Sequence, residues 1–104
     1  MRVYISGPIT GTTDYMERFA AAEKGLHKQG YDVFNPAKVN AGMPEVSTWE
    51  DYMKVAEAVL SCCDTIYMLQ GWENSRGAVK EYHLAMAAGM VVLKENGGMM
   101  HAVD

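Results

Sequence analysis

Asp64-Thr65-Ile66-Tyr67-Met68-Leu69-Gln70-Gly71-Trp72-Glu73-Asn74-Ser75-Arg76-Gly77-Ala78-Val79-Lys80-Glu81 runs from an apolar segment through a glycine-containing loop into a segment of helical composition. The nearly continuous apolar run up to Leu69 suits a strand buried on both faces at the centre of a parallel sheet. A helix starting at Ser75 presents free backbone N–H groups to an anion. Ser75, Arg76 and Gly77 add a hydroxyl, a guanidinium and a close backbone approach at the same point. Glu81 then lies about one and a half turns inside that helix. Strand, loop and carboxylate together suggest a small-molecule site.

Working outward, residues 2–6 read as a strand, followed by the loop Gly7–Thr13. Asp14 and Glu17 have capping-box spacing and predict a helix over Tyr15–Lys28, with Phe19, Ala22 and Leu26 inward and Gly30 ending it. Tyr31–Phe34 is a second strand, and Asn35-Pro36 opens a long polar loop through Asn40, Gly42 and Pro44. Ser47 and Glu50 repeat the capping-box spacing and start a second helix, whose buried face is Tyr52, Val55, Ala56, Val59 and Leu60. The third helix spans Ser75–Ala88 and stops at Gly89. Met90–Leu93 is a fourth strand, and residues 96–104 read as a flexible, loop-like tail with a role in a subunit contact.

This βαβαβαβ order predicts one α/β domain over residues 1–104, a three-layer, flavodoxin-like (Rossmann-like) parallel sheet of strand order 2-1-3-4 with right-handed crossovers. Ligands bind such sheets beyond the carboxyl ends of strands 1 and 3, where the order reverses. The loops Gly7–Thr13 and Gln70–Asn74 leave those ends. Ser6, Gly7, Pro8, Ile9 and Trp72 therefore join Ser75, Arg76 and Gly77 as candidate ligand-binding residues. Trp72 is a better base-stacking candidate than Trp49 or Tyr52, because it sits in the loop after strand 3.

A chain of 104 residues with 49% hydrophobic and 21% charged residues is sized for one globular domain. Its net charge of −4 supplies no footprint for polymeric nucleic acid. No apolar run is long enough to span a bilayer, so no membrane partner and a cytoplasmic location are expected. Cys62 and Cys63, being adjacent, are expected to be reduced core or near-core thiols. His27, His83 and His101 show no ligand spacing, so no metal is expected. Gly7-Pro8-Ile9-Thr10-Gly11 lacks the ending of a P-loop and the spacing of a dinucleotide fingerprint, so no cofactor is expected either.

On a helical projection Gly77, Ala78, Leu84, Ala85 and Ala88 fall within about 60° of Glu81, which sets the carboxylate on a small, apolar face. That placement fits a confined carboxylate in a pocket floor, or one at the edge of a packed helix paired with Arg2 or Lys80. Tyr4 stands near the carboxyl end of strand 1, on the face opposite Val3 and Ile5. Its phenol either orients Glu81 or is a core hydroxyl bonded to backbone. Asp64 opens strand 3, and the strand's register decides whether it supports the site.

Tyr4-Ile5-Ser6-Gly7-Pro8, Cys63-Asp64 and Ser75-x-Gly77-x-x-x-Glu81 with Ala85 and Gly89 resemble the nucleoside 2-deoxyribosyltransferase superfamily over most of the chain. That superfamily includes 2'-deoxynucleoside 5'-phosphate N-glycosidases and small phage or bacterial domains of unknown function. The resemblance implies Glu81 as a nucleophile at the anomeric carbon, positioned by Tyr4. It also implies Asp64 on the sugar or acid side and Ser75, Arg76 and Gly77 around a 5'-phosphate. The chain differs in being shorter and in lacking the acidic residue with which transferases bind the base. The expectation is a homodimer or larger assembly that binds a nucleoside or nucleotide and cleaves or exchanges its N-glycosidic bond. A noncatalytic nucleotide or nucleotide-sugar sensor and a structural oligomerisation domain are the alternatives.

Overall fold

Alternating apolar residues make the first strand, β1 (Arg2–Ser6), the axis of the sheet. The structure is a computed structural model that describes residues 1–9, 13–96 and 99–102. Strand β1 pairs in parallel with β2 (Asp32–Phe34) on one side and with β3 (Thr65–Met68) on the other, and β3 pairs in parallel with β4 (Val91–Asn96). The order β2-β1-β3-β4 is the one predicted.

A fifth strand, β5 (Met99–Ala102), pairs antiparallel with β4, where the sequence reading expects loop. Asn96 and Met99 are partners in that register. A Gly-Gly pair between two short runs is a hairpin signal, one that a reading of glycines as loop composition passes over. Gly97, Gly98, Val103 and Asp104 of the expected tail, and Thr10–Thr12 of the Gly7–Thr13 loop, lie outside the described residues.

Helix α1 (Tyr15–Lys28) has its predicted bounds, but Asp14 sits at its N-cap without a side-chain capping bond. Gly30 follows it at φ +88°, a conformation that favours glycine. Helix α2 (Pro36–Ala41) replaces the first part of the expected polar loop. The Asn35 side chain caps it by accepting from Ala37 N–H at 3.0 Å, and Pro36 takes the first turn, where its missing N–H costs nothing. Helix α3 (Trp49–Leu60) starts one residue later than predicted, with Thr48 rather than Ser47 as its cap. The Thr48 hydroxyl accepts from Asp51 N–H at 3.1 Å, and the Asp51 carboxylate accepts from Thr48 N–H at 2.9 Å. Helix α4 (Arg76–Ala87) is capped by Ser75, whose Oγ accepts from Ala78 N–H at 3.3 Å.

Strand alternation divides the core into two layers. Val3, Ile5, Tyr67 and Leu69 pack with Phe19 and Leu26 of α1 on one face. Tyr4, Ile66 and Met68 pack with Leu60 of α3 and Ala78 and Ala85 of α4 on the other. Burial of Ser6 and Thr65 within the sheet leaves two hydroxyls that must find partners. Among the described residues no helix is long and apolar enough to cross a membrane. Both cysteines are free; Cys62 is exposed rather than near the core, and burial pushes the half-buried Cys63 thiol up to about 11.

Candidate active site

Tyr4 and Ser6 lie two residues apart on β1, so both side chains project to the face covered by α4. Helix α4 starts beyond the carboxyl end of β3 and carries Glu81 back over that face. The Tyr4 hydroxyl donates to Glu81 Oε2 at 2.5 Å, and the Ser6 hydroxyl donates to Glu81 Oε1 at 2.6 Å. These are the lengths of charge-assisted O–H···O⁻ bonds. Glu81 is only 7% exposed, and it pairs with neither Arg2 nor Lys80. Arg2 donates to the Cys62 carbonyl and Lys80 pairs with Glu57 at 3.2 Å.

Burial holds the Glu81 carboxyl above its ordinary value of 4.5; the Ser6 and Tyr4 hydroxyls work in the opposite direction, and the field of Glu57 adds to the rise. Burial, followed by the charge of Glu81, pushes the Tyr4 phenol well above 10, so it remains a donor across the physiological range. A raised folded-state value means that the native chain holds the proton more tightly than the unfolded chain. Stability is then lost as pH rises from the ordinary carboxylate range through the folded value, and the full cost of the buried charge is present above it. Glu81→Gln is expected to raise the thermal midpoint at pH 8, with the gain shrinking towards zero below pH 4. An equal gain at both pH values would show that ionisation is not the source.

The carboxylate forms part of the wall of a cavity of about 290 Å³ between the β1–α1 loop, α2, α3 and the start of α4. Gly7, Ile9, Ser75 and Gly77 line it, together with Tyr15, Phe19, Asn40, Trp49, Tyr52 and Met53. Gly77 gives close approach: a Cβ there would stand 3.4 Å from Met53 Sδ. Pro8 is not in the wall and packs toward Gly71, whose φ of +89° turns the chain into the short 3-10 turn Trp72–Asn74. Arg76 is exposed, and its guanidinium lies 3.7 Å from the centre of the Trp49 ring.

Two expected residues stand elsewhere. Asp64 is at the amino edge of the sheet, where its carboxylate accepts from Arg2 N–H at 3.1 Å and from the Thr65 hydroxyl at 2.9 Å. Strand β3 begins one residue after it, so Asp64 joins strand starts while Glu81 is bonded to Tyr4 and Ser6 towards the carboxyl end of β1. Trp72 turns away from the cavity onto Tyr82, with ring centres 4.6 Å apart and Lys94 5.8 Å from its ring. Trp49 and Tyr52, one helical turn apart on α3, take the cavity positions instead. Asn40 escapes the sequence reading because its helix does, although Asn35 followed by Pro36 is a helix-start signal. Ser6, expected among the ligand-binding residues, does not line the cavity: it is fully buried and its hydroxyl is committed to Glu81, a partnership that the two-residue spacing from Tyr4 could have signalled.

No curated protein matches this chain in sequence. A solved 2-deoxyribosyltransferase from the psychrotolerant bacterium Bacillus psychrosaccharolyticus superposes with a TM-score of 0.72 at 17% identity, covering 90% of this chain and 71% of that one. At that identity the likeness is one of fold, and the fold here is 2-deoxyribosyltransferase-like. Residues 1–94 match the family described as "Domain of unknown function (DUF4406)", and the chain belongs to that family.

Proposed function

We propose that this protein binds a nucleoside or nucleotide and cleaves or exchanges its N-glycosidic bond, with Glu81 as the nucleophile. The observation that carries the reading is a buried carboxylate in a cavity wall, held on both oxygens by Tyr4 and Ser6 at the point where the strand order reverses. The 2-deoxyribosyltransferase-like fold supports it. Cleavage of the C1'–N bond develops oxocarbenium charge on the sugar. A close carboxylate stabilises that charge and then closes a C1'–O bond to give a glycosyl-enzyme ester, while the electron pair of the broken bond leaves with the base. Water or a second base then attacks C1' and frees the carboxylate.

Burial weakens hydration of the carboxylate and leaves it a stronger partner for a cationic sugar. Tyr4 and Ser6 keep it oriented and offset part of the cost of its charge. Arg76, at the start of α4 and against Trp49 of the cavity wall, is the candidate partner for a 5'-phosphate. The test is incubation with the four 2'-deoxynucleoside 5'-monophosphates and the matching nucleosides, with and without an acceptor base, and chromatography for released base. Release that depends on Glu81 supports the reading; thermal stabilisation by a nucleotide without any release moves it to a noncatalytic binder.

Tyr4→Phe removes a donor that favours the ionised carboxylate. The acid limb of the kcat/KM profile should therefore move to higher pH, with activity falling most on the acid side. An unmoved limb would separate the Tyr4–Glu81 bond from the chemistry.

A further inference from the structure

Among the described residues, Glu81 is the single charged side chain lining the cavity. The carboxylates nearest to the cavity do not line its wall: Glu57 pairs with Lys80, Asp64 stands at the amino edge of the sheet, Asp51 accepts from Thr48 N–H, and Asp14, Glu50 and Glu73 are exposed. Thr10, Gly11 and Thr12, the loop residues next to the cavity in sequence, carry no acid. The same cavity is lined by Tyr15, Phe19, Trp49 and Tyr52.

A neutral nucleobase departs as an anion unless it is protonated as the bond breaks. Glycosidases supply that proton from a second carboxyl group, and general acid catalysis is typically worth about 10²–10⁴-fold. Phenols in general hold their proton too tightly near neutral pH to be well matched to the task. A base that already carries positive charge needs no proton, and the Tyr15, Phe19 and Tyr52 rings around one negative charge suit a cation, whereas the Trp49 ring already carries the Arg76 guanidinium 3.7 Å from its centre.

We propose that the preferred substrate is an N-glycoside of a cationic base, of the N-alkylated purine or pyridinium class, which leaves without an acid catalyst. This rests on the reading of Glu81 as nucleophile. In the first step the C1'–N bond breaks and its electron pair neutralises the base, while a Glu81 oxygen forms the C1'–O bond; cation and carboxylate become two neutral products. In the second, water adds to C1', the ester bond breaks to restore the carboxylate, and one proton passes to solvent. The groups facing Glu81 are the Tyr4 and Ser6 hydroxyls, with Glu57 and its partner Lys80 beyond, and Tyr4 stays protonated through pH 9.

The experiment compares 7-methylguanosine with guanosine, and their 2'-deoxy counterparts, using the intact 104-residue chain and subtracting spontaneous release. The methylated compounds should show a kcat/KM at least about 100-fold higher than the neutral ones. Release should vanish in Glu81→Gln, and a pyridinium riboside, whose charge does not titrate, should give a profile that rises through one acid limb and stays level to pH 9. Neutral compounds cleaved within tenfold of the methylated ones, or an alkaline limb below pH 9 with the pyridinium riboside, would overturn the proposal; Glu81-dependent release would then leave the glycosidase reading standing. No release from any compound by protein with native circular dichroism would overturn both.

Discussion

Glu81→Ala should abolish base release, with a loss of about 10⁴-fold or more, while the chain stays folded. Removing a covalent nucleophile deletes an interaction made only as the bond breaks, and losses on that scale are typical of such groups. The fold is expected to survive because the buried carboxylate costs stability rather than supplying it. Its burial raises its proton affinity, and the Tyr4 and Ser6 hydroxyls are spent on holding it rather than on joining the two layers of the core. The vacated space adjoins the cavity, so both hydroxyls regain partners in water. Chromatography of released base, beside a circular dichroism spectrum and a thermal melt, checks all three statements. Activity within tenfold of the native chain would remove Glu81 from the chemistry and leave the cavity as a binding site.

Gly7→Ala should cost about 1–3 kcal/mol of stability, the range for forcing an extra carbon into packed structure. A Cβ at this position would lie 2.7 Å from Leu69 Cβ and 2.9 Å from its Cδ1. A leucine Cβ cannot rotate aside, since it is fixed to its backbone, and that backbone is clasped. Leu69 N–H donates to the Ser6 carbonyl at 2.8 Å. The next residue is held on both sides, with Gln70 N–H donating to Glu95 Oε1 at 3.0 Å and the Gln70 carbonyl accepting from Arg18 at 2.7 Å. The strain therefore passes to the end of β1, where Ser6 holds Glu81, and catalytic activity should fall along with stability. Urea denaturation with unchanged slope and a lowered midpoint is the measurement. A cost under about 0.5 kcal/mol would mean that the two loops part easily and that the clasp does not set the position of Ser6.

Periodicity and local chemistry were enough to place four parallel strands, the long helices and the order 2-1-3-4, because apolar residues at strand and helix spacing commit their faces to burial wherever the chain goes. Glu81 was legible in the same way, as a carboxylate among small apolar neighbours on one helix face. Ser6 could be read as a partner of Tyr4 from strand parity, but its bond to Glu81 depends on how α4 crosses β1, a separation of 75 residues in the chain. Trp72 and Trp49 show the limit most plainly. Both are aromatics next to the start of α4 or α3, and nothing local says that Trp72 folds back onto Tyr82 while Trp49 lines the cavity beneath Arg76. Asp64 precedes the central strand just as Glu81 follows it, yet the direction of β3 sends one carboxylate to the amino edge and the other to the cavity. Local sequence sets which faces must be buried; only the packing of helices on the sheet selects which polar groups meet there, because those contacts join residues far apart along the chain.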